Sequence, residues 1–232
     1  MKLYLAVTLF LWFAGLTHPA AAALSSAGSL SFGPASLTRD SQQNLLWLTP
    51  SATTGLSFLE TQALLANDQR FSGFRVATQE ELVTLFQQAG IPDINVAGER
   101  AFYGTTANVQ GVTFLQGLTG LTYSVAVVER LFETAGFLGE PFVSTINGFT
   151  VIEIGNVVLR ENVATSDGPK SFASAFTTWG AAPVGGKYEG VGMWLVSSIP
   201  EPSVLETLAA GLFFLNVKLL RASRTVSVSR CS

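Results

Sequence analysis

The sequence predicts an α+β domain, and three observations predict it. Two capping boxes, Ser57-Phe58-Leu59-Glu60 and Thr78-Gln79-Glu80-Glu81, each open an apolar helical pattern in the N-terminal half. After Pro92 the helical spacing gives way to runs rich in Gly, Thr and β-branched residues. Between two apolar ends lie about 175 residues, Leu24 to Ile199, enough for one domain with its own core. The expectation is two capped helices packed on an antiparallel sheet, followed by a single apolar C-terminal helix.

Ser29 to Leu37 alternates loosely and reads as an opening strand, made irregular by Gly33 and Pro34. Arg39 to Asn44 is a polar turn, and Leu45 to Leu48 a short buried strand. The first helix starts after Ser57 and runs to about Asn67 on an apolar face that includes Phe58, Leu59, Ala63, Leu64 and Leu65. Phe71 to Val76 reads as a strand that brings Arg75 just ahead of the second cap. The second helix carries Leu82, Leu85, Phe86 and Ala89 at i, i+3, i+4 and i+7, and Gly90 and Pro92 end it. Gly111 to Val128 reads as strands and turns, and Phe149 to Arg160 as two strands turning near Gly155-Asn156. Ser166-Asp167-Gly168-Pro169 is a turn by composition, and Gly192 to Val196 a final strand.

The ends of the chain speak about destination. Lys2, the apolar stretch Leu3 to Leu16, Pro19 and Ala20 to Ala23 have the layout of a secretory signal peptide spanning residues 1–23. Cleavage is expected after Ala22 or Ala23; the alternative is an uncleaved anchor, for which the apolar stretch is short. The domain then spans residues 24–199. At the other end Pro200-Glu201-Pro202 precedes an apolar stretch, Val204 to Leu220, and then a basic stop formed by Lys218, Arg221 and Arg224. Those residues, 200–224, read as a sorting signal with a transmembrane helix, and residues 225–232 as a short cytoplasmic tail. Glu206, Asn216 and Lys218 interrupt the span, and the alternative is a buried C-terminal helix; against it, Leu208 to Leu215 is apolar all round.

Composition excludes whole classes of chemistry. The only histidine, His18, lies in the signal segment, and the only cysteine, Cys231, in the tail. The domain therefore has no disulfide, no thiol chemistry, no zinc site of the usual kinds and no Ser-His or Cys-His nucleophile. It holds 14 acidic and 8 basic residues, a net charge of −6 with no basic run, which argues against nucleic-acid binding.

On these residues the C-terminal segment resembles the PEP-CTERM sorting signal of Gram-negative bacteria. The resemblance implies recognition of Pro200, Glu201 and Pro202 by a membrane-bound exosortase, then delivery to the cell surface or extracellular matrix, in systems that accompany exopolysaccharide loci. A second resemblance covers Leu37 to Ile91 and the last strand. The run Phe74-Arg75-Val76-Ala77-Thr78-Gln79-Glu80-Glu81-Leu82 is similar to the W-R-L-P-T-x-x-E-L run of bacterial C-type-lectin-like domains, with Phe74 in place of the Trp and Ala77 in place of the Pro. The Glu-Pro-Asn loop and Trp-Asn-Asp run of calcium-dependent sugar sites do not occur, and the related formylglycine-generating enzymes require cysteines this domain lacks.

No catalytic, cofactor-binding or metal-binding residue is expected. Asp93 and Glu99 flank a loop, and Glu153, Glu161 and Asp167 cluster in sequence, but scattered surface carboxylates are the ordinary state of an acidic domain. Trp47, Trp179, Trp194 and the phenylalanines read as core before they read as a sugar-stacking platform. The expected function is a non-enzymatic structural or interaction protein of the surface or matrix, handled by signal peptidase and exosortase and anchored transiently in the inner membrane through its C-terminal helix. The alternative is a lectin-like module that binds exopolysaccharide. An extracellular glycan-processing enzyme rests only on the unassigned carboxylates.

Overall fold

The computed structural model describes residues 23–95, 104–126, 129–144 and 148–199. Strand β1 (Leu24–Ser29) turns into β2 (Gly33–Asp40), which turns into β3 (Leu45–Leu48). Helix α1 (Phe58–Asn67), the two-residue strand β4 (Arg75–Val76) and helix α2 (Gln79–Gln88) follow, then β5 (Ile94–Asn95) and helix α3 (Val109–Thr119). The remainder is β6 (Tyr123–Ala126), three 14-residue strands β7 (Arg130–Val143), β8 (Thr150–Val163) and β9 (Lys170–Pro183), and the short β10 (Gly192–Met193) and β11 (Leu195–Ser198).

The strands form two sheets. The first has the order β1-β2-β3-β11-β4 and is antiparallel throughout. The second has the order β10-β7-β8-β9-β5, with β6 also paired to β7; its long strands are antiparallel, and only the two-residue β10 and β5 join in parallel. The α+β class read from the sequence is the class observed. The expected C-terminal apolar helix lies outside the described residues, among which no helix is long and apolar enough to cross a membrane.

Both capping boxes form. Ser57 Oγ accepts from the Glu60 backbone N–H at 3.2 Å while Glu60 accepts from the Ser57 N–H at 3.0 Å; Thr78 and Glu81 repeat the exchange at 3.2 and 2.9 Å. Each pair satisfies helix-start donors that would otherwise have no partner. Arg75 adds a two-pronged ion pair to Glu81, so the second cap is tied to β4 as well as to its own helix.

Trp194 joins the two sheets. It interrupts the single final strand expected over Gly192 to Val196, so that β10 pairs with β7 and β11 with β3. Its backbone N–H donates to Phe137 at 3.0 Å, its carbonyl accepts from Ala77 at 2.8 Å, and its indole N–H donates to Gly155 at 2.9 Å. The ring meets Trp47 and Phe86 edge-on, with centroids 6.2 and 6.3 Å away. Trp47 and Trp194 are fully buried, as core residues should be; the side chain of Trp179 lies outside the described residues.

Four sequence expectations are corrected. The opening strand is a hairpin, because Leu30 to Phe32 turn the chain and Gly33 (φ 99°) and Ala35 (φ 56°) accept left-handed backbone. Phe71 to Val76 is only partly extended: Gln69–Phe71 is a single 3-10 turn and the strand is confined to Arg75–Val76. Residues 109–119 are a helix, not strands: Asn108, Val112, Leu115, Gln116 and Thr119 are buried at helical spacing, and three of these five are polar. Thr150 to Arg160 belongs to one continuous strand, with Phe149 just before it. Gly155 lies mid-strand because a Cβ there would stand 2.5 Å from Leu82 of α2 and 2.8 Å from Leu138, so glycine serves close approach and not a turn.

The long sheet therefore buries both faces. One face packs under α2 and α3 through Leu138, Val157 and Leu159, and the other meets α1 and the first sheet through Phe137, Ile152 and Ile154. On that second face the cover stops short, and the site described next lies there.

Candidate functional site

Most residues expected to carry function lie outside the described residues: Ala22, the Pro200-Glu201-Pro202 motif and the basic stop of Lys218, Arg221 and Arg224. Ala23 is described, and its carbonyl accepts from the backbone N–H of Ser41 at 2.9 Å, just ahead of buried Leu24.

Among the described residues, the carboxylates singled out by the sequence do not converge. Asp93 is a local pin: its backbone exchanges hydrogen bonds with the Asn108 side chain at 3.0 and 2.8 Å, and its carboxylate accepts from Thr105 at 3.1 Å. Glu99 lies outside the described residues. Glu161 faces Arg130 at 3.6 Å, and Asp167 pairs with Lys170 at 2.8 Å beside the β8–β9 turn. Glu153 lies on the same strand as Glu161 but eight residues away, roughly 26 Å along extended chain. Burial pushes its carboxyl above the ordinary range. Among the described residues no group of three His, Cys, Asp or Glu side chains could hold a metal ion.

A cleft of about 480 Å³ forms instead where β6 ends the long sheet. Register builds it. Tyr123 of β6 lies directly opposite Glu133 of β7, so both side chains rise from one face of the sheet. On the same face, Ile154 of β8 lies opposite Gly180 of β9, whose missing side chain leaves the floor open. The segment from Tyr188 to Val191 closes one side. Tyr188 is held edge-on against Phe137 with ring centroids 6.1 Å apart. Its neighbour Lys187 reaches Glu60 of α1 at 2.6 Å. Gly190 (φ 78°) passes Tyr123 so closely that an added Cβ would lie 2.9 Å from the tyrosine's own, so only glycine suits that position.

The electrostatics of the cleft are one-sided. Glu133 and Glu189 line it, and among the described residues no Lys, Arg or His does. Burial pushes the Glu133 carboxyl above the ordinary range, against the opposing hydrogen bond that Asn156 Nδ2 donates to it at 2.6 Å. Asn156 is fully buried, and its Oδ1 has no hydrogen-bond partner. It lies in the sheet row between Glu133 and Ile154, since Asn156 pairs with Ala135 on the same face. Two tyrosines and a desolvated carboxyl, held from beneath by a buried amide, thus share one open depression. Such an arrangement can stack on a flat apolar ring face and accept hydrogen bonds from a donor-rich ligand.

Sequence reasoning missed every residue of this cleft. Glu133 follows Leu131 and Phe132 in a run with no motif, and Tyr188 sits in a Gly-rich loop. The only trace was a carboxylate interrupting an apolar strand, which burial alone makes costly. Compared with known protein families, curated proteins and solved structures, the chain matches none of them.

Proposed function

We propose that this chain is an exported protein of the surface or extracellular matrix of a Gram-negative bacterium, with a structural or interaction role and not a catalytic one. Its maturation runs through signal peptidase at the N-terminus and an exosortase-type signal at the C-terminus. One observation carries the reading. The last strand, β11, lies inside the first sheet between β3 and β4 and ends at Ser198, two residues before Pro200. The Pro-Glu-Pro segment thus follows directly on the last strand of that sheet, the place where a processing signal at the edge of a folded domain belongs. Cleavage after Ala22 keeps the Ala23 carbonyl that Ser41 uses, whereas cleavage after Ala23 removes it, and the first site fits the fold better.

The C-type-lectin-like layout is proposed with it. Trp47 on β3 lies opposite Val196 of β11, which brings the short Trp strand and the final strand of that layout side by side. The Thr78–Glu81 cap and Arg75 supply the remaining parts. Wild-type chain produced in a Gram-negative host with and without an exosortase tests the localisation. The chain should leave the inner-membrane fraction only when the exosortase is present, and identical fractionation in both hosts would count against the reading.

The second reading is a saccharide-binding module, and the cleft between Tyr123, Tyr188 and Glu133 favours it. Aromatic faces beside a carboxyl suit the alternation of C–H and O–H surfaces that a pyranose presents.

A further inference from the structure

We propose that the cleft binds an amino sugar, with the protonated amine of a hexosamine against Glu133 and the C–H face of its ring on Tyr123 or Tyr188. This rests on the saccharide-binding reading and adds the charge of the ligand. Two carboxylates line the depression and no basic side chain among the described residues answers them there. Arg160, on the same sheet face, lies a row farther out, opposite Leu131. Lys187, next to Tyr188 in sequence, is paired with Glu60. A neutral ligand would leave the Glu133 charge uncompensated in a partly desolvated site, whereas an ammonium supplies the missing charge and donates hydrogen bonds.

The tyrosines reinforce this choice, because a cation over or beside an aromatic ring is attracted by the negative face of the π system. Asn156 positions the carboxyl from below: fully buried, it donates through Nδ2 to Glu133 Oε1 at 2.6 Å and holds that side chain in the cleft wall. The size argues for a ring: a cleft of about 480 Å³ exceeds what one lysine side chain fills and lies within the range of small-ligand sites. The depression is partly open to solvent, which suits a unit within a chain as well as a free sugar.

The test is calorimetric titration of the full chain in a neutral detergent, at a pH where the sugar amine is protonated. The probes are a β-1,4 glucosamine tetramer, its N-acetylated counterpart, a β-1,4 glucose tetramer and tetra-lysine. The glucosamine tetramer should bind about tenfold or more tightly than each of the other three, in keeping with a charge-assisted contact reinforced by a ring face. Glu133→Gln should abolish that preference, whereas Glu140→Gln, the same loss of charge roughly 20 Å along β7, should not. Gly180→Val keeps both carboxylates and projects into open space, so it should block binding while the thermal midpoint stays close to wild type.

Equal affinity for the glucose tetramer would overturn the ammonium assignment and leave the saccharide reading standing. Binding of no saccharide would overturn both. Tetra-lysine binding as well as glucosamine would show that the ring contributes nothing and refute the amino-sugar assignment. Equal losses in Glu133→Gln and Glu140→Gln would reduce the effect to overall charge and refute the site. Release of shortened sugars during the titration would replace a binding module by a hydrolase.

Discussion

Gly192 shows how tightly single residues are constrained where the sheets meet. A Cβ at this position would run into the carbonyl oxygen of Pro50, a backbone atom that cannot swing aside. Gly192→Ala is expected to cost at least about 1–3 kcal/mol, measured by urea unfolding, as overpacking of a close-packed interior does. Glu81 has a different role, accepting from the Thr78 N–H and pairing with Arg75. The Arg75 hydrogen bonds chiefly, and the Thr78 N–H next, hold its carboxyl below the ordinary range, with burial opposing them. A depressed folded value stabilises above the unfolded value, and that stability is lost as pH falls through the folded one. Glu81→Gln should therefore cost about 1 kcal/mol near neutrality, discounted for the exposure of Arg75, and flatten the acid limb of the stability curve. Glu133 has the opposite sign. Its raised value means that this residue favours folding at low pH, and its contribution is lost as pH rises through that value. Tyr123, Tyr188, Glu189 and Arg160 are the titratable groups that share its face or its cleft, so Glu133→Gln should remove this part of the pH dependence near and above the ordinary glutamate range. The two caps were legible in sequence because each needs only residues three apart. Glu133 was not, because β6, β7, β9 and the Tyr188 loop create its surroundings from distant positions.

At the scale of elements, α3 marks the limit of pattern reading. Its buried face includes Gly111, Asn108, Gln116 and Thr119, which look like turn and strand residues until their partners are known. Gln116 donates to the carbonyls of Phe132 and Val157 at 3.0 and 3.3 Å, so a polar residue can be buried there without leaving a donor unmatched. Gly111 is the contact with α2: a Cβ would stand 2.7 Å from the backbone of Gly90 just beyond the end of that helix. Gly111→Ala gains helix propensity and should still destabilise, by about 1–3 kcal/mol in urea unfolding, because backbone meets side chain. A neutral or stabilising result would mean that α2 and α3 are not held at this distance. The long strand β8 teaches the same lesson from the other side. Gly155-Asn156 has the composition of a turn, but Trp194 needs the Gly155 carbonyl and Leu82 needs the space above it. Alternation identified extended chain there, and only the packing partners decide where it turns.

For the whole molecule, the α+β class followed from the order of helical and alternating patterns, and it holds. The sequence's account of the ends concerns destination and stands as a proposal; the described strands run from Leu24 to Ser198, between the two segments read as targeting signals. The central claim is that Pro200-Glu201-Pro202 is a processing signal on an exported domain. The most direct measurement is the intact mass and cell fraction of wild-type chain and of Glu201→Ala, each produced with an exosortase in a Gram-negative host. The account predicts a wild-type product that has lost the residues following the motif and reached the surface or medium, and a Glu201→Ala chain retained in the membrane with its C-terminus intact. The same mass and location for both would contradict it.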